Sequence, residues 1–574
     1  MKLLIPTLLS AACAFSSMES MAAADLILHG GKVYTAEPGQ SLQQAVAVEN
    51  GRILAVGSDA QILKLKQAGT QVIDLHGKVL MPGFIDSHTH LVKGGLQMLQ
   101  ANLNNEDMPI TELESKLRQW RDDGRARRGK FLYIGGIPTQ YWDRIDELQQ
   151  RFNQGEWAKQ PILLAGGDYH TGWANQALLD LAGVDVAKVK SLQGEEQATI
   201  GHAADGTPNG FLVDAGLYPV QALLPLPTND ELVDALKGAQ RYYHELGITA
   251  WMEPLANENP GGDIHNDSVG VLPAYKALSQ SGELTAHVAA LLMADSKATP
   301  ADLDELDKVR QQFQGVNNLT LPGIKIFADG VAEMPAQSAA MLEPYSNSKK
   351  SGELLIDPKH FGELVSAADA RGWLVHIHAI GDRAVRESLN GIEQARKDRH
   401  SGIPHSITHL EVVNPKDYPR FKQLDVIASM QLFWAAADEM SVDLLKPYVS
   451  AATFKTLYPA HSLLKNGATI AGASDWPITT PDPWKAIYQA LERVGPKGVL
   501  NAGEEVDRMT MFQAYTLNAA RTLRLEDSIG SLKPGKQADL ILLDRDVFKV
   551  KPEALRDTQV LKTWFAGREV YSRP

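Results

Sequence analysis

The stretch of sequence that decides the fold reads Gly83-Phe84-Ile85-Asp86-Ser87-His88-Thr89-His90. It is a short apolar run that ends in two histidines with one residue between them. Residues i and i+2 of a β-strand point to the same face, so His88 and His90 would present both imidazoles to one point. A bound divalent metal ion requires such convergence of its ligands.

Other ligand-type residues recur along the chain, each in or at the end of its own apolar run. They are Lys325, His378, His409 and Asp475. The chain has a single cysteine, Cys13, and it lies in the N-terminal segment that we expect to be removed. A metal site in the mature protein must therefore use histidine, aspartate, glutamate or lysine rather than a thiolate.

Eight β-like runs alternate with helical patterns, which favours a parallel sheet in an α/β protein. They cover residues 81–86, 248–252, 287–292, 323–327, 373–377, 406–410, 426–430 and 469–472. Eight such units fit a closed (β/α)₈ TIM barrel, whose chemistry lies at the C-terminal ends of its strands. The candidate ligands lie at or near those ends, except Lys325, which lies within its run.

The sequence predicts two additions to the barrel, which itself spans residues 81–524. Short β-rich segments at residues 24–80 and 525–574 are expected to pair into a small β-sandwich domain built from both chain ends. About 160 residues separate the first barrel strand from the second, where a βα unit normally takes a few tens. We therefore predict an inserted subdomain over the barrel mouth, at about residues 93–245.

The charge balance excludes some classes of partner. The chain has 56 basic and 69 acidic residues, a net charge of −13, which argues against nucleic acid or an anionic membrane surface. We expect a small-molecule substrate, with a homodimer as the default assembly.

The N-terminus has the pattern of a secretory signal peptide over residues 1–23. Lys2 precedes a mostly apolar run at residues 3–15, and small residues follow around Ala22. The run is too short for a convincing membrane span. The expected location is the periplasm, after secretion across the inner membrane, with lipid anchoring through Cys13 as the alternative.

Six sequence blocks resemble one known family. They cover residues 81–90, 168–170, 325–330, 378–385, 473–477 and 530–540, and the most distinctive reads His378-Ala379-Ile380-Gly381-Asp382-Arg383-Ala384-Val385. The chain resembles the metal-dependent amidohydrolase superfamily, in particular the amidohydrolase family 3 branch that includes N-substituted formamide deformylases. It departs from that branch at Thr408, at Gln431-Leu432 and at His376, which precedes His378.

The resemblance implies a site for two divalent metal ions, with zinc as the expected metal. His88, His90 and Asp475 would bind one ion, His378 and His409 would bind the other, and a carboxylated Lys325 would bridge them. Asp475 would also be catalytic, since it would take a proton from the bridging water. A lysine in a desolvated interior has a depressed pKa, which makes the neutral amine available for carboxylation. The alternative for Lys325 is an ion pair with Asp329 or another carboxylate.

Three further residues are candidates for substrate binding: His170, His376 and Trp434. For His376 the alternatives are support of a metal ligand and plain packing. For His170 the alternative is a role in loop structure, and for Trp434 it is a place in the core.

The sequence thus predicts a metal-dependent hydrolase that cleaves a non-peptide, amide-type C–N bond of a small molecule through a metal-activated hydroxide. One alternative is a mononuclear cyclic amidine hydrolase or deaminase with an unmodified Lys325. The other is a non-catalytic binding or regulatory protein on the same fold.

Overall fold

The structure is a computed structural model that describes residues 23–574, apart from residues 169, 263, 335 and 400. Cys13 and all but the last residue of the predicted signal peptide lie outside the described residues. Within the part of the chain that is described, no helix is long and apolar enough to cross a membrane.

Eight consecutive parallel strands form the central sheet, and we number them β1 to β8. They are Phe84–Asp86, Ile248–Glu253, His287–Met293, Leu319–Phe327, Leu374–Ala379, His405–His409, Val426–Met430 and Thr469–Gly472. At the two ends of this order, the Ser87 N–H donates a 3.0 Å hydrogen bond to the Gly472 carbonyl, which brings β1 against β8. The predicted TIM barrel is confirmed, and each of the eight predicted runs overlaps a barrel strand.

The first barrel strand is shorter than predicted, because Met81 belongs to a different sheet. The strand Val79–Pro82 pairs antiparallel with Leu540–Leu543 from the far end of the chain. Gly83 follows this strand, and a Cβ at Gly83 would lie only 2.2 Å from Oγ1 of Thr249. The glycine therefore lets the chain pass closely alongside β2 as it leaves one sheet and enters the barrel.

Four further sheets surround the barrel. In spatial order, the strands of the four-stranded sheet are Arg52–Gly57, Ala45–Glu49, Leu26–His29 and Gln71–Asp74, and those of the five-stranded sheet are Lys32–Val33, Val79–Pro82, Leu540–Leu543, Val560–Phe565 and Arg568–Ser572. Those of the six-stranded sheet are Ile200–His202, Pro208–Val213, Thr171–Ala174, Ile162–Gly166, Phe131–Ile137 and Arg127–Arg128, and a hairpin joins Val494–Gly495 to Gly498–Val499. The five-stranded sheet contains strands from both ends of the chain, and the six-stranded sheet lies wholly between β1 and β2.

The α-helices fall into the same three regions of the chain. Helices in the barrel region are Leu91–Leu99, Asn229–Glu245, Leu272–Gln280, Asp302–Gln312, Phe361–Ala370, Asp382–Asp398, Tyr418–Gln423, Ala451–Phe454, Ala460–Lys465, Pro483–Glu492, Arg508–Ala514 and Leu517–Thr522. Between the helices Leu91–Leu99 and Asn229–Glu245 lie Ile110–Asp122, Ile145–Phe152, Gln176–Ala182, Val186–Ser191, Gly194–Ala198 and Tyr218–Gln221, while Asp59–Ile62 and Pro552–Leu555 lie near the chain ends.

Helix Leu91–Leu99 packs tightly beside the end of β1. A Cβ at Gly94 would lie 2.3 Å from the Trp476 ring, and one at Gly95 would lie 2.2 Å from the Ala235 carbonyl oxygen. Both glycines thus allow approaches that a side chain would block. The partner helix Asn229–Glu245 begins with a reciprocal cap between Thr228 and Glu231, which satisfies free N–H groups of its first turn.

Glu253, the last residue of β2, holds the start of helix Leu91–Leu99. Its Oε2 accepts hydrogen bonds from the Tyr275 hydroxyl at 2.9 Å and the Val92 N–H at 3.4 Å. Acceptors are favourable at a helix N-terminus, where N–H groups lack partners. Burial raises the pKa of Glu253 to about 8, so the native protein keeps this carboxyl protonated at neutral pH.

We predict that Glu253→Gln makes the free energy of unfolding less dependent on pH. The folded pKa of about 8 exceeds the unfolded value of about 4.3. The stability that Glu253 contributes is therefore full below about pH 4 and is lost as the pH rises towards 8. Urea unfolding measures the free energy of unfolding at pH 5 and pH 8. Relative to the parent, the variant should become more stable at pH 8 than at pH 5, by on the order of 1 kcal/mol or more. Glu245→Gln, on an exposed side chain nearby, is the matched control, and equal pH dependence of the two variants would contradict the prediction.

Candidate metal centre

The loops that follow β1 and β8 bring His88, His90 and Asp475 together. The Nε2 atoms of His88 and His90 lie 3.2 and 3.3 Å from the same oxygen of Asp475, Oδ1. One ligand atom from each of the three residues lies within 4.8 Å of the others. The backbones are joined as well, since the Asp475 N–H donates to the His88 carbonyl at 2.9 Å and the His90 N–H to the Trp476 carbonyl at 2.8 Å.

The side chain of Asp86 binds both the loop after β1 and the loop after β8. Its Oδ1 accepts from the Ser474 N–H at 3.0 Å and the His88 N–H at 3.2 Å. Its Oδ2 accepts from the Ser474 hydroxyl at 2.5 Å and the Tyr243 hydroxyl at 3.1 Å. Burial raises the pKa of Asp86 to about 6, although these hydrogen bonds oppose the shift. One carboxylate thus sets the position of both loops that carry ligands.

The orphaned oxygen of Asp475 tests whether these residues fit a metal ion. Its Oδ1 is buried and has no hydrogen-bond partner, although two imidazole nitrogens face it. A buried acceptor without a hydrogen-bond donor destabilises the fold unless a cation binds to it. Burial alone would raise the pKa of Asp475, but His90, His409 and Lys325 nearby hold it below its usual value. An ionised carboxylate and two imidazoles form a donor set that suits zinc and similar ions.

His378 and His409 form a second pair of imidazoles beside the first. Their ring centroids lie 4.5 Å apart, and the His409 ring lies 5.1 Å from that of His88. Nε2 of His378 lies 3.0 Å from the Gly330 carbonyl oxygen, while Nδ1 of His409 is buried without a hydrogen-bond partner. Burial lowers the pKa of His378 to about 3 and that of His409 well below its usual value. Both imidazoles are therefore neutral, the form that binds a metal.

Lys325 enters the same space from β4, where its side chain is buried. The register places it opposite His376 of β5, and its Nζ lies 5.0 Å from the centre of the Phe327 ring. Burial lowers the pKa of Lys325 to about 7, although Asp475 opposes the shift. The neighbouring Asp329 accepts hydrogen bonds from three backbone N–H groups, those of Ala340, Ile380 and Gly381. These contacts tie the loop after β4 to the end of β5.

The three predicted substrate-binding residues lie in different surroundings. Trp434 covers His409, with nearly parallel rings 5.7 Å apart, and its Nε1 donates to Thr479 at 3.0 Å. His170 pairs with Asp214 in the inserted region, and 42% of its side chain is exposed.

Both ring nitrogens of His376, the third predicted residue, have protein partners. They are Nδ1 of His88 at 2.7 Å and Oγ of Ser406 at 2.6 Å, and the side chain is fully buried. His376 therefore contacts His88 directly, as one of the alternatives left open by the sequence has it, and its contact to substrate stays a prediction. Two other residues of the site were not predicted in their observed roles, since Asp86 had no predicted role and Asp329 was expected only as an alternative partner of Lys325. Their places two residues before His88 and directly before Gly330 were the available signals.

Comparison with known proteins agrees with this geometry. The sequence profile of the Amidohydrolase family matches residues 71–571. The chain belongs to the amidohydrolase family. The structure is similar to the crystal structure of an uncharacterized metal-dependent hydrolase from Pyrococcus horikoshii OT3. The two superpose with a TM-score of 0.71 at 26% sequence identity, over 92% of this chain and 99% of that one.

Two curated relatives cover almost the whole chain. Protein LONG AFTER FAR-RED 3 of Arabidopsis thaliana is 29% identical over 96% of this amidohydrolase and 92% of its own length. N-substituted formamide deformylase of Arthrobacter pascens is 25% identical over 96% of this chain and 98% of its own length. The expected membership is thus confirmed, and the site described above is that of a metal-dependent hydrolase fold.

Proposed function

We propose that this amidohydrolase hydrolyses an amide-type C–N bond, other than a peptide bond, in a small molecule at a binuclear metal centre. The observation that carries the proposal is the buried Oδ1 of Asp475, which has no hydrogen-bond partner. The imidazoles of His88 and His90 both face this oxygen, and a second pair of imidazoles lies beside them. The likeness to N-substituted formamide deformylase supports the choice of bond.

His88, His90 and Asp475 would hold one ion, and His378 and His409 would hold the second, with zinc as the proposed metal. Bound zinc lowers the pKa of a water molecule to about 7 and polarises a substrate carbonyl. The neutral Lys325 amine can add carbon dioxide, which forms an N–C bond and releases a proton to solvent. The resulting carbamate offers two oxygens as a bridge, and the depressed lysine pKa supports this step.

Asp475 is the proposed proton carrier. It would accept a proton from the attacking water and later release it to the leaving nitrogen. Its low pKa keeps it ionised and ready to accept this proton. Its backbone has φ of +55°, and the hydrogen bond from its N–H to the His88 carbonyl holds it in this conformation. The geometry therefore presents the carboxylate to the ligand cluster instead of to the helices outside the barrel.

Trp434 is the proposed wall of the substrate pocket. Its indole stacks on His409 and is anchored through Thr479, whose hydroxyl donates to the Ser474 carbonyl at 3.3 Å. A partly exposed aromatic face beside the ligands would pack against an apolar substituent of the substrate. His170 stays a proposed contact from the inserted region.

We predict that Asp475→Asn abolishes hydrolysis while the protein stays folded, because an amide cannot carry the proton. Removal of a general acid–base group reduces the rate by about 10²–10⁴-fold. Release of amine from a panel of N-substituted formamides and N-acyl amides would be compared between variant and parent, with metal content and melting temperature as readouts of the fold. Asp180→Asn, at an exposed carboxylate, is the control. A variant that hydrolyses the panel as fast as the parent would show that Asp475 is not the proton carrier.

One observation favours a mononuclear cyclic amidine hydrolase or deaminase as the second candidate. Among the described residues, His88, His90 and Asp475 are the one set of three ligand residues that converges within 4.8 Å. His378 turns Nε2 towards the Gly330 carbonyl instead. In a mononuclear enzyme, Lys325 would stay an unmodified amine.

Lys325→Ala separates the two candidates. We predict that the parent binds two metal ions per chain, that the variant binds at most one, and that hydrolysis falls by at least about 100-fold, because the bridge is lost. Elemental mass spectrometry on protein purified without chelators measures the metal content, and Lys536→Met, at another buried lysine, is the control. One ion in both parent and variant, with activity kept on cyclic amidines, would favour the mononuclear enzyme. A parent without metal, even after supplementation, would favour the non-catalytic regulatory protein.

We further propose that the protein is exported to the periplasm. The support is the charged, apolar and small-residue pattern of the N-terminal 23 residues. N-terminal sequencing of the protein from a periplasmic extract should begin near Ala23. An intact Met1, or a lipid-modified Cys13, would contradict this cleavage.

A further inference from the structure

We propose that His376 is a positioning residue that fixes the tautomer and the ring orientation of His88 through a hydrogen-bonded chain, His88–His376–Ser406. The inference rests on the proposed metal-binding role of His88. A carboxylate or a backbone carbonyl commonly accepts the second N–H of a metal-binding histidine, and here a neutral imidazole takes that place.

Only one assignment of the ring hydrogens of His88 and His376 is consistent with metal binding by His88. Nε2 of His88 faces Oδ1 of Asp475 at 3.2 Å, and it must lack a hydrogen to bind a metal. The hydrogen of His88 is therefore on Nδ1, which donates to Nε2 of His376 at 2.7 Å. His376 must then carry its own hydrogen on Nδ1, which donates to Oγ of Ser406 at 2.6 Å. Protonation of His376 at Nε2 would reverse the first bond and place the hydrogen of His88 on its ligand nitrogen.

The surroundings make this chain rigid. His376 and Ser406 are directly opposite each other in the register of β5 and β6, and their side chains are fully buried. The rings of His88 and His376 lie 4.9 Å apart at 33°, and His88 is 1% exposed. Water therefore does not compete for these hydrogen bonds, and the chain ties a ligand that follows β1 to the opposite half of the barrel.

A neutral partner has a chemical consequence for the site. A carboxylate in the place of His376 would add a negative charge behind the ligand and raise the basicity of His88. An imidazole orients His88 equally well and adds no charge. The centre therefore keeps more of the Lewis acidity of its ions than it would with a carboxylate partner.

The test compares a substitution that keeps the hydrogen-bonding groups with one that removes them. His376→Gln keeps an acceptor for His88 and a donor for Ser406, whereas His376→Phe fills the space and removes both. Zn²⁺ retention would be measured by competition with a chromophoric chelator, on metal-free protein reloaded with zinc. We expect about 10–100-fold weaker retention for His376→Phe, the range typical of lost outer-shell partners, and retention within about threefold of the parent for His376→Gln.

His405→Phe is the matched control, because His405 is a buried barrel histidine that bonds Asp369 and the Val375 N–H instead. It should lower the melting temperature of the metal-free protein without changing zinc retention. If His376→Phe does not fold, Ser406→Ala tests the same chain, with about 2–10-fold weaker retention expected. Retention equal to the parent in His376→Phe, or in Ser406→Ala where the former is not folded, would overturn the positioning role. So would equal loss in the Phe and Gln variants. A parent that does not retain Zn²⁺ would overturn the proposed metal centre together with this inference.

Discussion

The buried carboxylate of Asp86 is the contact on which the rest of the site depends. β1 and β8 are the two ends of the eight-strand order, and the candidate ligands His88, His90 and Asp475 lie on the loops that follow them. Asp86 accepts four hydrogen bonds where these two loops meet, from donors on His88, Tyr243 and Ser474. Removal of the carboxylate would leave buried donors without partners, at about 1–3 kcal/mol each. Asp86 therefore determines where His88 meets Asp475.

The barrel interior beneath the ligands is polar, whereas bulky branched residues dominate the interiors of most such barrels. The Ser87 hydroxyl contacts that of Ser429 at 2.9 Å and lies 2.8 Å from the Gly472 carbonyl oxygen. His376 and Ser406 complete the layer. Buried polar groups are tolerated only where they find partners. Here the end of β1 is bonded to β7 and β8, and β5 is bonded to β6. The layer therefore links the strands through directional bonds and holds the ligands above it in one orientation.

The barrel could be predicted from the sequence, whereas the residues that hold the candidate ligands in position could not. Short β-like runs that alternate with helical patterns predicted all eight strands, because run length and regular alternation with helices remain visible in a sequence even where the strands are fully buried. The start of β1 was wrong by three residues, since an apolar run does not show that Val79–Pro82 pairs with Leu540–Leu543. Alternation indicated that His88 and His90 converge, and apolar runs marked the other ligand candidates, while the role of each candidate came from resemblance. Most partners of Asp86, Asp329 and His376 are distant in sequence, so only the folded chain shows them.

His409 shows why periodicity could not have found the second imidazole pair. In β6, Ser406 faces the barrel interior, where it meets His376, and His405 faces outward to Asp369. Strict alternation gives His409 the parity of His405 and would turn it outward as well. His409 and Leu410 instead have φ of +75° and +53°, a left-handed conformation that costs about 1–2 kcal/mol per residue. The hydrogen bond from the Leu410 N–H to the Ala379 carbonyl, at 3.1 Å, holds this turn at the end of β5. Backbone strain thus redirects one imidazole from the helices to His378, and Asp475 reaches the same cluster through its own left-handed φ of +55°.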